Sequence, residues 1–178
     1  MTTTTPDLKD RTFKNSREHY EEVTDFLLEE KTQKMTLDEV EHIVKTKGRD
    51  LQRSLLEEHI ASRGTGDLGS SLKGTDGVER THKKISERKI LTIFGEVKIS
   101  RVGYFKLGLT SCFFPLDEKL NLPDCSYSYL LQKLIVLEAI KGSFDEVVES
   151  IYRTTETKIS KGKSLKIIFS DSERLLNY

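Results

Sequence analysis

The apolar residues of this chain change their spacing twice, which limits the folds open to it. Tyr20, Val23, Leu27 and Leu28 recur at steps of three and four. Leu37, Val40, Ile43, Val44, Leu51, Leu55 and Ile60 continue that helical spacing. Around Ile90 the period shortens to two: Ile90, Thr92 and Phe94 alternate with Leu91 and Ile93, and Val97 and Ile99 with Lys98 and Ser100. After residue 125 the helical spacing returns. Period 3.6 places side chains on one face of a helix and period 2 on one face of a strand. The expectation is an α+β chain: a helical N-terminal part, a small antiparallel hairpin or three-stranded sheet, and a C-terminal helical part.

Local signals set the boundaries. Residues 1–13 read as a polar tail, and residues 14–63 as the helical N-terminal region. Thr36-Leu37-Asp38-Glu39 fits a capping box, in which a hydroxyl and a Glu side chain satisfy free backbone donors. Gly48 interrupts the second stripe, so a bend or break is expected there, and Gly64 suits a helix stop. Residues 64–77 hold five Gly and read as a linker; no GK[ST] follows them, so they lack the signature of a phosphate-cradling loop.

Residues 78–124 form the hairpin region, with a tight turn expected at Phe94-Gly95-Glu96 and an earlier strand around residues 78–84. Residues 115–124, bounded by Pro115 and Pro123, read as irregular. Residues 125–178 read as three helices. Ser126 or Ser128 caps the first, which holds Leu130, Leu131, Leu134, Ile135, Leu137 and Ile140 and stops at Gly142. Ser143-Phe144-Asp145-Glu146 is a second capping box, and Val147, Val148 and Ile151 line that helix. The third follows Ser160 with Leu165, Ile168, Phe169, Leu175 and Leu176.

Composition removes several functions. Lys plus Arg and Asp plus Glu both number 29, so neither a uniformly basic protein nor an acidic tail protein fits. No run of 18 apolar residues is present, and the first ten residues have no apolar stretch of the secretory kind. Two cysteines make no disulfide framework. A cytoplasmic protein with no membrane partner is the default expectation.

Charge is uneven along the chain. Residues 64–108 carry nine basic and five acidic side chains, whereas residues 1–63 carry 11 basic and 14 acidic. Lys158, Lys161, Lys163 and Lys166 occur with no acid between Glu156 and Asp171, and Arg80, His82, Lys83, Lys84, Arg88 and Lys89 form a second run. Either run is a solvated face or a phosphate-binding one.

Helix, Gly turn, short helix, polar turn and a helix with a basic start follow the plan of a helix-turn-helix module, with Leu134, Val148, Ile151, Leu165 and Ile168 as a small core. A plain three-helix bundle has the same pattern. In the first reading Ser160, Lys161, Lys163, Ser164 and Lys166 face phosphates or base edges of duplex DNA.

No catalytic pattern is present. His19, His42, His59 and His82 are isolated, Cys112 beside Phe113-Phe114 reads as a small buried hydrophobe, and Cys125 has no nearby His. The acids fall on helix faces or in capping positions. No metal or other cofactor is expected, and an enzyme is the weakest reading.

Arg88-x-x-x-Thr92-x-Phe94-Gly95-x-Val97-x-x-x-Arg101-x-x-Tyr104 resembles a hairpin signature of bacterial insertion-sequence transposases of the ISKra type. Further pieces follow in the same order: Leu56-Glu57-Glu58-His59-Ile60, Arg63-Gly64-x-Gly66-Asp67, Asp76-Gly77-x-x-Arg80-Thr81-His82, Pro115-Leu116-Asp117, Leu120-Asn121-Leu122-Pro123, Tyr127-Ser128 and Gly142-Ser143-Phe144-Asp145-Glu146. The resemblance runs over residues 51–165 and implies an N-terminal region that binds transposon ends. An RNase H-like domain with Mg²⁺-binding carboxylates follows in such transposases; here it would fall beyond Tyr178, so no catalytic residue is carried over.

The expectation is a truncated, non-catalytic DNA-binding portion of a mobile-element transposase. Its partner is double-stranded DNA at terminal inverted repeats. Lys83, Lys84, Arg88 and Arg101 of the hairpin hold phosphates, and the last helix enters the major groove. A rival expectation is a protein-interaction module without DNA binding. In it the 27–55 stripe pairs with a second copy or with a full-length transposase.

Overall fold

The computed structural model describes residues 12–167. The chain has an α+β fold, divided into two compact units between Asp67 and Leu68. The first unit is a helical hairpin: α1 (Lys14–Leu28), a 3-10 turn (Thr32–Lys34) and α2 (Leu37–Ser62). Thr36 and Glu39 cap α2 reciprocally, as their spacing requires. The helix runs on through Gly48 without a break, contrary to the expected interruption. One Gly costs about 1 kcal/mol, which a 26-residue helix with a full cap absorbs.

The start of α1 has no local cap. Its donors are met from α2 instead: the Glu58 carboxylate accepts from the Asn15 N–H at 2.7 Å, the Ser16 N–H at 3.0 Å and the Ser16 hydroxyl. A buried carboxylate thus serves as a long-range cap and fixes how the two helices pair.

The second unit is built around a ribbon. β1 (Leu72–Lys73) pairs with β2 (Glu79–Arg80), so the latter half of the expected 64–77 linker is part of this unit. The longer strands β3 (His82–Thr92) and β4 (Gly95–Phe105) pair antiparallel, from His82 opposite Phe105 to Thr92 opposite Gly95. The turn is Ile93-Phe94, one residue earlier than expected. The Thr92 hydroxyl fixes it, accepting from the Phe94 N–H at 3.1 Å and donating to the Gly95 carbonyl at 2.8 Å. Gly95 takes φ 109°, a conformation that favours glycine.

Both edges of the ribbon receive further chain. Tyr104 and Phe113 exchange two backbone hydrogen bonds of 2.8 Å. This approach requires Gly103, because a Cβ there would meet the Phe114 ring at 2.5 Å and the Cys112 sulfur at 2.7 Å. On the β3 side, the Leu91 N–H donates to the Ser126 carbonyl at 2.7 Å, and the Ser128 N–H to the Leu91 carbonyl at 2.9 Å. Between them, the segment expected to be irregular forms the short helix α3 (Pro115–Lys119), whose Leu116 is fully buried. Proline at the first helical position costs no hydrogen bond and explains the start.

Among the described residues three more helices follow: α4 (Tyr129–Ala139), α5 (Phe144–Thr155) and α6 over residues 161–167. Ser128 caps α4, and Ser143 with Glu146 forms the predicted box on α5. Gly142 makes room for that box, since a Cβ there would overlap the Glu146 carboxylate. Tyr127, Leu131, Ile135, Val136, Val147, Ile151, Ile159 and Ile167 form one core, with Leu91 and Ile93 of the ribbon against it. Leu134 and Val148 of the expected core pack around it. Leu165, expected in this core, is half-buried and is not part of it, and Ile168, Phe169, Leu175 and Leu176 lie outside the described residues.

Candidate nucleic-acid interface

The last turn and helix divide their side chains by polarity. Ile159, Ser164 and Ile167 are buried, whereas Lys158, Lys161, Lys163 and Lys166 are exposed. Steps of three place Ser164 and Ile167 on the inner face of α6, which leaves the lysines outside. The start of α6 is fixed by Tyr127, buried in the core, whose hydroxyl accepts from the Ser160 N–H at 2.8 Å. The hydroxyl of Thr157 reaches the Thr92 carbonyl at the ribbon tip at 3.3 Å. The polar turn 156–160 is therefore held at both its middle and its end. Glu156, which closes α5, adopts a left-handed conformation with φ 50°.

Lys161, Lys163 and Lys166 all have internal partners. Lys161 Nζ donates to the Asp145 carboxylate at 2.6 Å, both side chains being more than half exposed. Lys163 Nζ donates to the Ser126 hydroxyl at 3.2 Å and stands 5.8 Å from the centre of the Tyr127 ring. Contacts of this exposed kind are weak in water and readily exchanged for a phosphate. Ser160 is exposed, but Ser164 is withdrawn from the surface. Its hydroxyl donates to the Ser160 carbonyl at 2.9 Å. Its expected contact with DNA is corrected: it closes the first turn of α6 from inside.

The hairpin separates its basic residues. Successive strand residues point to opposite faces, so Lys83 and Lys84, both exposed, do not share one. Lys84 Nζ stands 5.9 Å from the centre of the Phe105 ring. Lys83 shares its face with Lys89 and its cross-strand neighbour Lys98. Lys89 is held 3.0 Å from Glu96, which pushes its pKa up through a hydrogen bond and charge attraction.

Arg88 and Arg101 are placed otherwise than expected. Both reach the Asp117 carboxylate of α3, Arg88 at 2.8 Å. Arg88 also donates to the carbonyls of Pro123, Asp124 and Cys125, and the Arg101 guanidinium stacks 3.7 Å from the centre of the Phe114 ring. These three side chains are only 14–18% exposed. Burial and the neighbouring Arg88 charge lower the Arg101 pKa. The pair binds the 114–125 segment to the ribbon, which corrects their expected role at phosphates. The residues lie 16 and 29 positions from Asp117, a relation no local pattern reveals.

Sequence reasoning passed over Tyr127, which holds the start of α6 from within the core, and Asp145, which pairs with Lys161. Among the described residues, no group of three or more His, Cys, Asp or Glu stands where it could hold a metal ion. Among the same residues, no helix is long and apolar enough to cross a membrane. Compared with protein families, curated proteins and solved structures, the chain finds no match.

Proposed function

We propose that the chain is a duplex-DNA-binding module, the end-recognising portion of an insertion-sequence transposase of the ISKra type, with no catalytic role for its own residues. One observation carries the reading: α6 is tied into the core through Ser164 and Ile167 while Lys158, Lys161, Lys163 and Lys166 all stand exposed. A rigid element with one basic face suits the release of counterions from a phosphate backbone. The α4–α5–α6 order supports the helix-turn-helix reading, in which α6 enters the major groove and α5 crosses the backbone. Lys83 and Lys84, on opposite faces of the ribbon, offer separate contacts for phosphates, while Arg88 and Arg101 act only through the fold. The family assignment rests on the ordered motif series of residues 51–165.

The test is fluorescence anisotropy on duplexes drawn from the DNA flanking the chain's own coding region, with unrelated duplex as competitor. The expected result is binding that resists the competitor at moderate salt. Equal displacement by unrelated DNA contradicts end recognition, and no binding at low salt contradicts the whole reading.

A further inference from the structure

Three buried threonines join the ribbon tip to the turn that precedes α6. Thr92 is 6% exposed, Thr155 7% and Thr157 4%. The Thr92 hydroxyl shapes the hairpin turn, while its carbonyl faces the turn 156–160. The Thr157 hydroxyl stands 3.3 Å from two carbonyls, those of Thr92 and Thr155, and donates to either. The Thr157 N–H donates to the Thr155 hydroxyl at 3.2 Å, and that hydroxyl donates to the Ile151 carbonyl of α5 at 2.7 Å. Hydrogen bonds therefore run without a gap from the ribbon tip to the end of α5.

Threonine hydroxyls ordinarily close local turns, and the Thr155 bonds do that. The Thr157–Thr92 bond instead crosses 65 positions of sequence. It fastens a strained segment. Glu156, between Thr155 and Thr157, has φ 50°, a conformation that a non-glycine residue keeps only where its surroundings hold it. Lys158, the next residue after Thr157, is exposed, and Ile159 after it enters the core. The buried hydroxyl thus sits at the base of the basic surface without being part of it.

We propose that Thr157 is a positioning residue for the DNA contact: through its bond to the ribbon tip it sets the angle at which Lys158 and the lysines of α6 meet the duplex. The inference rests on the DNA-binding reading of α6. A helix held by its own core alone is free to rock on it. A helix also tied to the ribbon presents its side chains in one orientation, which discrimination between base sequences needs and attraction to phosphates does not.

Anisotropy titrations of the full chain, on duplex from the flanking DNA and on unrelated duplex, test this. Thr157→Val keeps the branched shape and removes the hydroxyl. Affinity for the flanking duplex is expected to fall roughly fivefold, the worth of one hydrogen bond, while affinity for unrelated duplex and the salt slope stay as in the wild type. Thr157→Ser keeps the hydroxyl and restores the selectivity. If Thr157→Val does not fold, Thr92→Val disturbs the same carbonyl from the ribbon side and is expected to show the same loss. A folded valine variant with wild-type selectivity, or an equal loss on both duplexes, overturns the positioning role and leaves the DNA-binding reading standing. A wild-type chain that binds neither duplex, or both alike, overturns that reading and the proposal with it.

Discussion

The Tyr127 hydroxyl accepts a hydrogen bond from the Ser160 backbone N–H at 2.8 Å, across 33 positions of sequence. Tyr127 lies between the ribbon edge at Leu91 and the start of α4, so this bond links the ribbon to the first turn of the basic helix. The lysines of α6 are therefore aimed by a residue that itself stays buried. Tyr127→Phe keeps the packing and removes the acceptor, at a cost of about 1 kcal/mol. The thermal midpoint is expected to fall by about 4 °C. DNA affinity is expected to fall further than the small unfolded fraction accounts for, and anisotropy alongside calorimetry checks this. Unchanged affinity contradicts the positioning role.

Asp117→Asn is expected to cost about 1–3 kcal/mol, because two half-buried guanidinium groups lose their shared counter-charge. Urea unfolding measures it. DNA affinity of the folded fraction stays as in the wild type, since Arg88 and Arg101 support the fold rather than the interface. A variant with native stability and weakened DNA binding reverses that assignment.

Stability in acid depends on Asp76. Hydrogen bonds from the Arg80 guanidinium and the Val78 N–H hold its carboxyl at about 2 against an ordinary 3.8. A folded pKa below the unfolded one adds stability that is complete above the unfolded value and declines as pH falls through it toward the folded one. Urea midpoints should therefore drop between about pH 4 and pH 2, and Asp76→Asn should flatten that part of the curve. An unchanged slope contradicts the ion pair's role.

Asp145→Asn releases Lys161 from its internal partner. Affinity for duplex DNA is expected to rise roughly threefold, the size of one exposed ion pair. Weaker binding in equilibrium titrations contradicts the placement of Lys161 at the DNA.

Much of the fold was legible because its signals are local. The capping boxes at Thr36 and Ser143, the alternation through Ile90 and Val97 and the three-helix order all follow from residues within a few positions of one another. The misses depend on distant residues. The short helix at Pro115 is held by Leu116 in the core and by Asp117 between two arginines from the ribbon. The basic run from Arg80 to Lys89 reads as one patch in sequence, yet strand alternation sends Lys83 and Lys84 to opposite faces and pairing withdraws Arg88. The α6 lysines were legible as charges. That Ser164 turns inward follows only from the helical phase set by the core.

The most direct test of the DNA-binding claim compares salt slopes. The logarithm of the association constant falls by about 0.9 per neutralised phosphate for each unit of log salt. Replacing Lys161, Lys163 and Lys166 together with Ala removes three exposed side chains and leaves the core intact. The account predicts folded protein with a slope shallower by about 0.9 for each phosphate that these lysines neutralise. A variant that folds, binds duplex DNA and keeps the wild-type slope contradicts it.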